Sequence, residues 1–253
     1  MPSQPQKTAI VTGAARGIGL ATTRAFLAMG WRVVMIDRDA PALQEAAADL
    51  IGVDPVICDV SQPDQVDQMA AYVSESCATV DALVNNAGVA DFGPIGETDF
   101  ARWRTVMETN LDGVFLMSQA LRSALCAARG AIVNIASISG LRASTLRVAY
   151  GTSKAAVKHL TLQQAAELGE FGVRANCVCP GPVATKLAMA VHTPDIIAAY
   201  HDAIPLNRYG TEEEIASVIT FLCSDAASYV TGQIVAVDGG FEATGIGLPA
   251  LRG

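Results

Sequence analysis

Seven short apolar runs alternate with longer amphipathic stretches along the whole chain, and this alternation constrains the fold more than any other feature. Several runs are hydrophobic at almost every position, which is typical of strands covered on both faces of a parallel sheet. Most intervening stretches are long enough for a crossover helix, so the pattern predicts an α/β protein with a doubly wound parallel sheet. The predicted strands are residues 8–13, 31–37, 54–60, 80–88, 130–137, 173–181 and 233–240.

The chain has 253 residues, of which 51% are hydrophobic and 17% charged, and this composition favours a single large core. No low-complexity linker, repeat or break in composition marks a second domain, so one domain is expected over residues 1–253. The longest connection, at about residues 182–211, contains Pro194 and Pro205. We predict that it is a substrate lid; a purely structural excursion is the alternative.

The balance of charges excludes some classes of partner. Aspartate and glutamate number 25 against 17 lysines and arginines, for a net charge of −8. A chain of this charge lacks the basic field that binding to nucleic acid or an anionic membrane requires. No apolar run reaches the length of a membrane span or resembles a secretion signal, so a cytoplasmic protein is expected.

Metal and disulfide chemistry are not expected from this sequence. The six cysteines form no C-x-x-C pair and the three histidines are scattered. Cys177 and Cys179 lie two apart on a predicted strand, which places them on one face as small core residues.

A glycine-rich segment, TGAARGIG at residues 12–19, follows the first predicted strand and opens the first predicted helix. Gly13 suits a tight turn, Gly17 allows the backbone to approach a diphosphate, and Gly19 allows close packing of the helix on the sheet. The N–H groups and dipole of the helix N-terminus then favour an anion. The segment therefore predicts a phosphate-binding loop.

Asp37 ends the second predicted strand, where a carboxylate can accept hydrogen bonds from both hydroxyls of an adenosine ribose. The same carboxylate repels a 2′-phosphate, so NAD is predicted over NADP. Arg16 and Arg38 lie close in sequence and offer a phosphate a competing partner. Glycines and a strand-end acid also suit an S-adenosylmethionine-dependent methyltransferase, which is the alternative at this point.

Tyr150 and Lys154 lie four residues apart in a helical stretch, which brings them to one face. A free phenol has a pKa near 10, and a cation at about 5 Å stabilises the phenolate by about 3 kcal/mol, so Lys154 is expected to lower that pKa towards neutrality. Ser137 lies 13 residues before Tyr150 at the end of a predicted strand, where its hydroxyl can hold a substrate oxygen. This set predicts acid/base chemistry, which a methyltransferase would not need.

Together, TGAARGIG at 12–19, NNAG at 85–88, Asn110, Ser137, Tyr150-x-x-x-Lys154 and PG at 180–181 resemble the short-chain dehydrogenase/reductase family. The resemblance covers nearly the whole chain, to residue 240. It implies a Rossmann-like seven-stranded sheet in the order 3-2-1-4-5-6-7 and an NAD(P)-dependent alcohol dehydrogenase or ketone reductase without a metal. A dinucleotide-sensing protein that has lost catalysis is a further alternative, although its usual sign, a missing Tyr or Lys, does not occur here.

The resemblance also implies roles for individual residues. Ser137, Tyr150 and Lys154 are the catalytic candidates, with Asn110 at a helix kink that orders a water for a proton relay; an ordinary cap between two helices is the alternative for Asn110. Candidates for contacts with the substrate, a small alcohol or ketone, are Ser139, Arg142, Arg147 and His192. The cofactor-binding candidates are Gly13, Arg16, Gly17, Ile18, Gly19, Asp37, Arg38, Asp59, Val60, Asn86, Ala87, Gly88, Tyr150, Lys154, Pro180, Gly181, Val183 and Thr185.

The family is commonly tetrameric, so a homotetramer is expected. The predicted helices near residues 103–127 and 150–170 would pack against their mates. The second offers Val157, Leu160, Leu168 and Phe171 for burial, although the sheet of the same subunit could bury that face instead. Leu248 and Leu251 in the C-terminal arm are expected to dock on a partner subunit.

Overall fold

A computed structural model describes residues 6–77, 79–186, 189 and 192–244, and these contain one parallel sheet of seven strands. The strand order is β3-β2-β1-β4-β5-β6-β7, which confirms the predicted topology. Leu248 and Leu251 lie outside the described residues. The strands are β1 (Thr8–Thr12), β2 (Arg32–Asp37), β3 (Val53–Ile57), β4 (Ala82–Asn85), β5 (Ala131–Ile135), β6 (Arg174–Pro180) and β7 (Ile234–Val237).

Helices connect the strands and cover both faces of the sheet, as right-handed crossovers require. None of the helices in the described ranges is long and apolar enough to cross a membrane. They are α1 (Gly17–Ala28), α2 (Ala40–Ala47), α3 (Pro63–Ser76), α4 (Phe100–Met107), α5 (Gly113–Ala120), α6 (Arg122–Ala128), α7 (Val148–Leu168), α8 (Pro194–Ala203) and α9 (Glu212–Cys223).

Two apolar cores lie on opposite faces of the sheet, because successive strand residues point to alternate sides. Ala9 and Val11 of β1 face a core with Phe26 of α1. Ile10, between them, faces a core with Met69 of α3 and α5 beyond it. Cys177 and Cys179 are fully buried in a smaller third cluster, which confirms their assignment to the core.

Several predicted strands extend too far at their carboxyl ends. Residues 86–88 leave the sheet after Asn85 because the Asn86 N–H bonds to Val84 O at 3.1 Å and to the side-chain Oγ1 of Thr12 at 2.9 Å, rather than to a backbone carbonyl of β1. Asp59 and Val60 likewise follow β3, and Ser137 lies two residues beyond β5. These residues therefore sit in the loops at the carboxyl edge of the sheet, where ligands bind in folds of this kind.

The predicted helix over residues 103–127 is interrupted. A single π-helical turn, Glu108–Asp112, separates α4 from α5, and Leu121 leaves helical geometry between α5 and α6. The π turn contains Asn110, so the irregularity expected at this residue is real. It is a widened turn inside a continuing helix rather than a cap between two separate helices.

A buried polar network joins the sheet to α7 beneath the catalytic candidates. Asn134 Nδ2 donates to Thr161 Oγ1 at 2.9 Å and to Gln164 Oε1 at 2.7 Å, and Asn134 Oδ1 accepts from Asn85 at 2.9 Å. Gln164 Nε2 donates in turn to Ser118 at 2.9 Å. Because every member is paired, the network fixes the position of α7 against β5 without leaving a buried polar group unsatisfied.

Candidate active site

The predicted phosphate-binding loop forms a backbone cradle at the carboxyl end of β1. Gly13 has a φ of +63°, which glycine adopts without strain. A Cβ on Gly19 would lie 2.1 Å from the Gly13 carbonyl oxygen, so only glycine allows this close packing. Helix α1 has no acidic residue in its first turn and no side-chain cap, so its N-terminal N–H groups face outward for an anion. The cradle fits the diphosphate of a dinucleotide.

Asp37 lies beside the cradle at the end of β2, as predicted. Its Oδ2 accepts from the Ala15 N–H at 3.1 Å and its Oδ1 from the Asp39 N–H at 3.0 Å, which fixes the carboxylate at the rim. Arg16 pairs with Asp39, and Arg38 Nη1 lies 3.4 Å from Asp59 Oδ2. Both arginines that were offered as partners for a 2′-phosphate are therefore held by carboxylates.

The loop after β4 lies against the same cradle. Asn86 Nδ2 donates to Thr12 O at 2.9 Å and the Ala87 N–H donates to Thr12 Oγ1 at 2.9 Å, which joins the ends of β1 and β4. A Cβ on Gly88 would lie 3.4 Å from Lys154 Nζ. Gly88 thus lets the loop after β4, which lies against the phosphate cradle, pass close to Lys154.

Ser137, Tyr150 and Lys154 meet at this edge of the sheet. The hydroxyl of Ser137 lies near enough to the Tyr150 phenol to favour its ionised form, and it accepts from the Ser139 N–H at 3.1 Å. Lys154, 4% exposed, lies with its Nζ 5.9 Å from the centroid of the Tyr150 ring. The same Nζ donates to the Ile135 carbonyl at 2.7 Å, a backbone contact that the sequence does not predict.

The expected lowering of the Tyr150 pKa is wrong for the protein alone. Burial disfavours the phenolate and raises the pKa of Tyr150, and this outweighs the opposing effects of the Ser137 hydrogen bond and the Arg147 charge. Burial also lowers the pKa of Lys154 to about 8, because its ammonium is desolvated. The sequence argument counted the attraction between a cation and a phenolate but not the desolvation of either group.

Asn110 connects the π turn to both halves of the site. Its Oδ1 accepts from the Val89 N–H at 2.8 Å, and its Nδ2 donates to Val89 O at 2.9 Å and to Ser153 Oγ at 3.1 Å. Ser153 was not predicted; its only sequence signal is its place between Tyr150 and Lys154 on the buried side of α7. Because the side-chain amide of Asn110 is fully paired within the protein, a relay through it remains a prediction.

The remaining cofactor candidates follow β6. Pro180 ends that strand, and the Gly181 N–H donates to Val237 O at 3.0 Å. Val183 is buried and forms an isolated bridge with Gly210, so the two ends of the predicted lid lie side by side. We call this pair of ends the neck of the lid. Thr185 lies just beyond this neck.

The four substrate candidates divide into two groups. Arg142 is exposed and its Nε lies 2.7 Å from Glu242 Oε2, which ties it to the C-terminal segment and away from Tyr150. Ser139 is buried beside Ser137 and bonds Ser144 at 3.0 Å. The Arg147 guanidinium lies 5.9 Å from the centroid of the Tyr150 ring, and His192 lies near enough to Arg147 for that charge to lower its pKa.

His192 belongs to an aromatic cluster that sequence analysis missed. Its Nδ1 lies 3.0 Å from Tyr209 OH, and its ring stacks on Tyr200 with centroids 5.6 Å apart. The ring of Phe92 lies on the other side, under the Arg147 guanidinium at 4.7 Å. These aromatics come from three separate loops and helices, so no local pattern would have grouped them.

A family model described as enoyl-(acyl carrier protein) reductase matches residues 13–242. Galactitol 2-dehydrogenase (L-tagatose-forming) of Cereibacter sphaeroides is 44% identical over 239 residues, 92% of this chain and 94% of that protein. Cis-4-hydroxycyclohexanecarboxylate dehydrogenase of Sinomonas cyclohexanicum is 39% identical over 246 residues, 94% of this chain and 97% of that protein.

A solved structure gives the same result for the fold. The crystal structure of gox2181 superposes with a TM-score of 0.91 at 35% identity and covers 94% of this chain and 96% of its own. The relatives are dehydrogenases by name, and none of those described above is a methyltransferase. The similarity spans the phosphate cradle, the catalytic candidates and the predicted lid.

Proposed function

Because the chain belongs to the short-chain dehydrogenase/reductase family and is an NAD(P)-dependent oxidoreductase of alcohols and ketones, we propose that it uses NAD to oxidise a small secondary alcohol, with Tyr150 as acid/base. The observation that carries the proposal is the meeting of Ser137, Tyr150 and Lys154 at the sheet edge that also forms the phosphate cradle: the Ser137 hydroxyl acts on the pKa of the phenol, and Lys154 Nζ lies 5.9 Å from the ring centroid. Neither a methyltransferase nor a dinucleotide sensor would need this set.

The preference for NAD rests on the charges at the adenosine end of the cleft. Asp37 is fixed at the rim by two backbone N–H groups and presents a carboxylate where a 2′-phosphate would lie. Arg16 and Arg38 are each paired with an aspartate. A 2′-phosphate would meet one negative charge and would have to break two ion pairs to gain compensation, so NADP binds less well.

In the proposed reaction the serine and the tyrosine bind the same oxygen. A bound nicotinamide supplies or accepts the hydride. Ser137 donates to the substrate oxygen and holds it against the Tyr150 hydroxyl, which gives up its proton to that oxygen in reduction and receives it back in oxidation. Lys154, anchored on the Ile135 carbonyl, keeps a positive charge beside the phenol and orients it.

The raised pKa of Tyr150 affects which direction of the reaction is favoured at neutral pH. With burial opposing the phenolate, Tyr150 is a neutral phenol at neutral pH and is ready to donate a proton to a ketone oxygen. Alcohol oxidation needs the phenolate and therefore becomes faster as the pH rises. The names of the relatives above cover a polyol and a hydroxycarboxylate as substrates, and both classes contain a secondary alcohol.

We also propose that residues 182–211 form the lid of a single domain spanning residues 1–253. Two backbone hydrogen bonds close its neck, from the Ala184 N–H to Gly210 O and from the Gly210 N–H to Pro182 O, each 3.0 Å long. A further bond, from the Leu206 N–H to Gly239 O at 3.2 Å, anchors the last part of the segment, so the part before Ile204 is the one that can move while the sheet stays in place. The aromatic cluster around His192 and Tyr209 lies within this lid.

We also propose that the protein is a homotetramer and that it works in the cytoplasm. A cleft of about 690 Å³ runs between the π turn, α5 and α7 and is lined in part by Leu111, Phe115, Leu116 and Leu160. The cleft also contains the charged residues Arg104, Glu108 and Asp112. Its apolar part, with a charged rim, fits a second copy of the same helices around a two-fold axis. All six cysteines carry free thiols, which agrees with a reducing compartment.

The direct test is an assay of NADH or NADPH formation with a panel of secondary alcohols that includes galactitol. We expect a kcat/KM at least about tenfold higher with NAD than with NADP, since repulsion of one phosphate by one fixed carboxylate is worth about 1.4 kcal/mol or more. Equal rates with both dinucleotides would refute the NAD preference. Binding of S-adenosylmethionine in place of NADH would refute the oxidoreductase assignment.

A further inference from the structure

Arg147 is the arginine nearest the reacting groups, and it differs from the others at the site. Its guanidinium carbon lies 5.9 Å from the centroid of the Tyr150 ring and 4.7 Å from that of Phe92. No carboxylate among the described residues lies within 4.0 Å of it, whereas Arg16, Arg38 and Arg142 each have one. Arg147 therefore presents an uncompensated positive charge at the mouth of the site.

The backbone directly before Arg147 is strained, and this strained turn sets the position of the Arg147 side chain. Leu146, directly before it, has a φ of +62°, a left-handed conformation that a leucine adopts only at a cost. The strain is held by the Gly93 N–H, which donates to Leu146 O at 3.0 Å, and by a bridge between Gly93 and Arg147. The loop after β4 thus fixes Arg147 over the active-site tyrosine.

The acidic side chains of the neighbouring segments are paired with other arginines. Asp91 accepts from Arg102 Nη2 at 2.8 Å, and Glu242 from Arg142 Nε at 2.7 Å. Among the described residues Arg122 also lacks an acid partner, so the arrangement matters at Arg147 because it lies beside the Tyr150 ring. It suits a ligand that brings its own negative charge.

The lid brings a neutral histidine near Arg147, and the loops that hold Arg147 add an apolar wall. Burial and the Arg147 charge both lower the pKa of His192, so its imidazole is neutral at pH 7. Leu146 and Phe92 are each about half-exposed beside the guanidinium, at 49% and 47%. A ligand here would place an acid group on Arg147 and a short apolar chain against Phe92.

We propose that Arg147 binds a carboxylate of the substrate, so that the alcohol oxidised is a hydroxy acid with a short apolar chain rather than a neutral polyol. The inference rests on the proposed function and narrows it to one of the two substrate classes weighed above. The acid group lies a few bonds from the reacting carbon, because Arg147 stands over the same phenol that exchanges the proton.

The test compares 3-hydroxy acids of four to eight carbons with their primary amides, which have nearly the same shape but no charge. With NAD, the wild-type enzyme should show a kcat/KM about 10- to 100-fold higher for the acids, the range of a charge-assisted hydrogen bond. In R147Q this preference should vanish, because the KM rises for the acids and not for the amides; any change in kcat should be common to both, since the Arg147 charge also acts on the pKa of Tyr150. R147K, which keeps the charge, should recover part of it.

Arg122 provides a matched control, because it also stacks on a phenylalanine ring, Phe171 at 5.0 Å, but lies on α6 away from the site. R122Q should keep the wild-type preference. Wild-type rates that are equal for acids and amides, or a loss of both substrates to the same degree in R147Q, would overturn the role of Arg147. The proposed function would survive that result, since turnover with NAD would have been observed.

Binding of the hydroxy acids can also be measured without turnover. The acids should raise the melting temperature of the wild-type protein in the presence of NADH, and should not do so in R147Q; equal shifts in the two proteins would also overturn the proposal. Failure of the proposed function has a different signature, because then no secondary alcohol, charged or neutral, yields NADH.

Discussion

Lys154 shows how burial decides the chemistry of a single side chain. Its Nζ is enclosed next to the Ile135 carbonyl, and no carboxylate of the described residues forms an ion pair with it. Desolvation therefore lowers the pKa of Lys154 from its usual 10.5 to about 8. The protein accepts a destabilising charge at this position, which is typical of a residue kept for function rather than for stability.

The lowered pKa predicts how stability changes with pH. Below about pH 8 both folded and unfolded chains hold the proton on Lys154, and the folded state carries the full penalty of the buried charge. As the pH rises from about 8 to 10.5, the folded state loses the proton first and the penalty disappears. Relative to K154M, the wild-type protein should therefore gain about 2 kcal/mol of unfolding free energy between about pH 7 and pH 9.5.

Denaturant unfolding of the cofactor-free wild-type and K154M proteins at several pH values would measure this gain. Other titrating groups are common to both proteins and largely cancel in the difference. A difference that stays constant over this range would show that Lys154 has an ordinary pKa in the fold.

At the residue scale, the sequence predicted positions better than energies. The spacing of Ser137, Tyr150 and Lys154 correctly indicated that they meet, because helix and strand geometry follow from local pattern. The direction of the Tyr150 pKa in the protein alone was wrong because the burial of the phenol depends on segments distant in sequence, such as β6 with Cys179, and local spacing does not show them. Such three-dimensional contacts leave no periodic signal.

At the scale of elements, helix α7 carries the catalytic pair and is held from below by the buried polar network. Gln164 is the link that α7 contributes, with bonds to Asn134 at 2.7 Å and Ser118 at 2.9 Å. Its neighbour Gln163 is exposed and contacts only the His159 ring at 3.3 Å. Two identical residues in succession therefore differ only in their surroundings.

Replacing Gln164 by alanine leaves buried groups on Asn134 and Ser118 without their partner. We expect Q164A to lower the free energy of unfolding by about 2–3 kcal/mol, and Q163A to change it by less than about 0.5 kcal/mol. Urea denaturation of the two variants would measure both values. Equal effects would mean that the network does not hold α7.

The elements themselves were mostly predictable. All seven strands were identified because several are continuous apolar runs and helix-length stretches separate them, and their order is that of the predicted topology. An irregularity at Asn110 was expected, but its form as a π turn at Glu108–Asp112 was not, since Asn110 bonds to Val89 in a loop 21 residues earlier. The early ends of β3 and β4 have the same origin in contacts between loops.

At the scale of the whole molecule, the proposed tetramer depends on an apolar surface around the π turn, α5 and α7. Phe115 is 47% exposed in the cleft there. We expect F115E to dissociate the assembly, because it would bury a carboxylate against a second copy of the same surface. Sedimentation velocity would show the loss of the tetramer.

Ile51 offers the control for this experiment, since it is 95% exposed in the turn between α2 and β3. I51E should leave the assembly unchanged. A wild-type protein that sediments as a monomer would contradict the tetramer and the interface together.

The central claim is that Tyr150 exchanges the proton of the alcohol oxidised by NAD, and Y150F tests it most directly because it removes only the phenolic oxygen. We predict that Y150F lowers kcat by about 10²- to 10⁴-fold while the dissociation constant for NADH, followed by cofactor fluorescence, stays within about threefold of the wild-type value. Y150F that oxidises the alcohol at the wild-type rate would contradict the account.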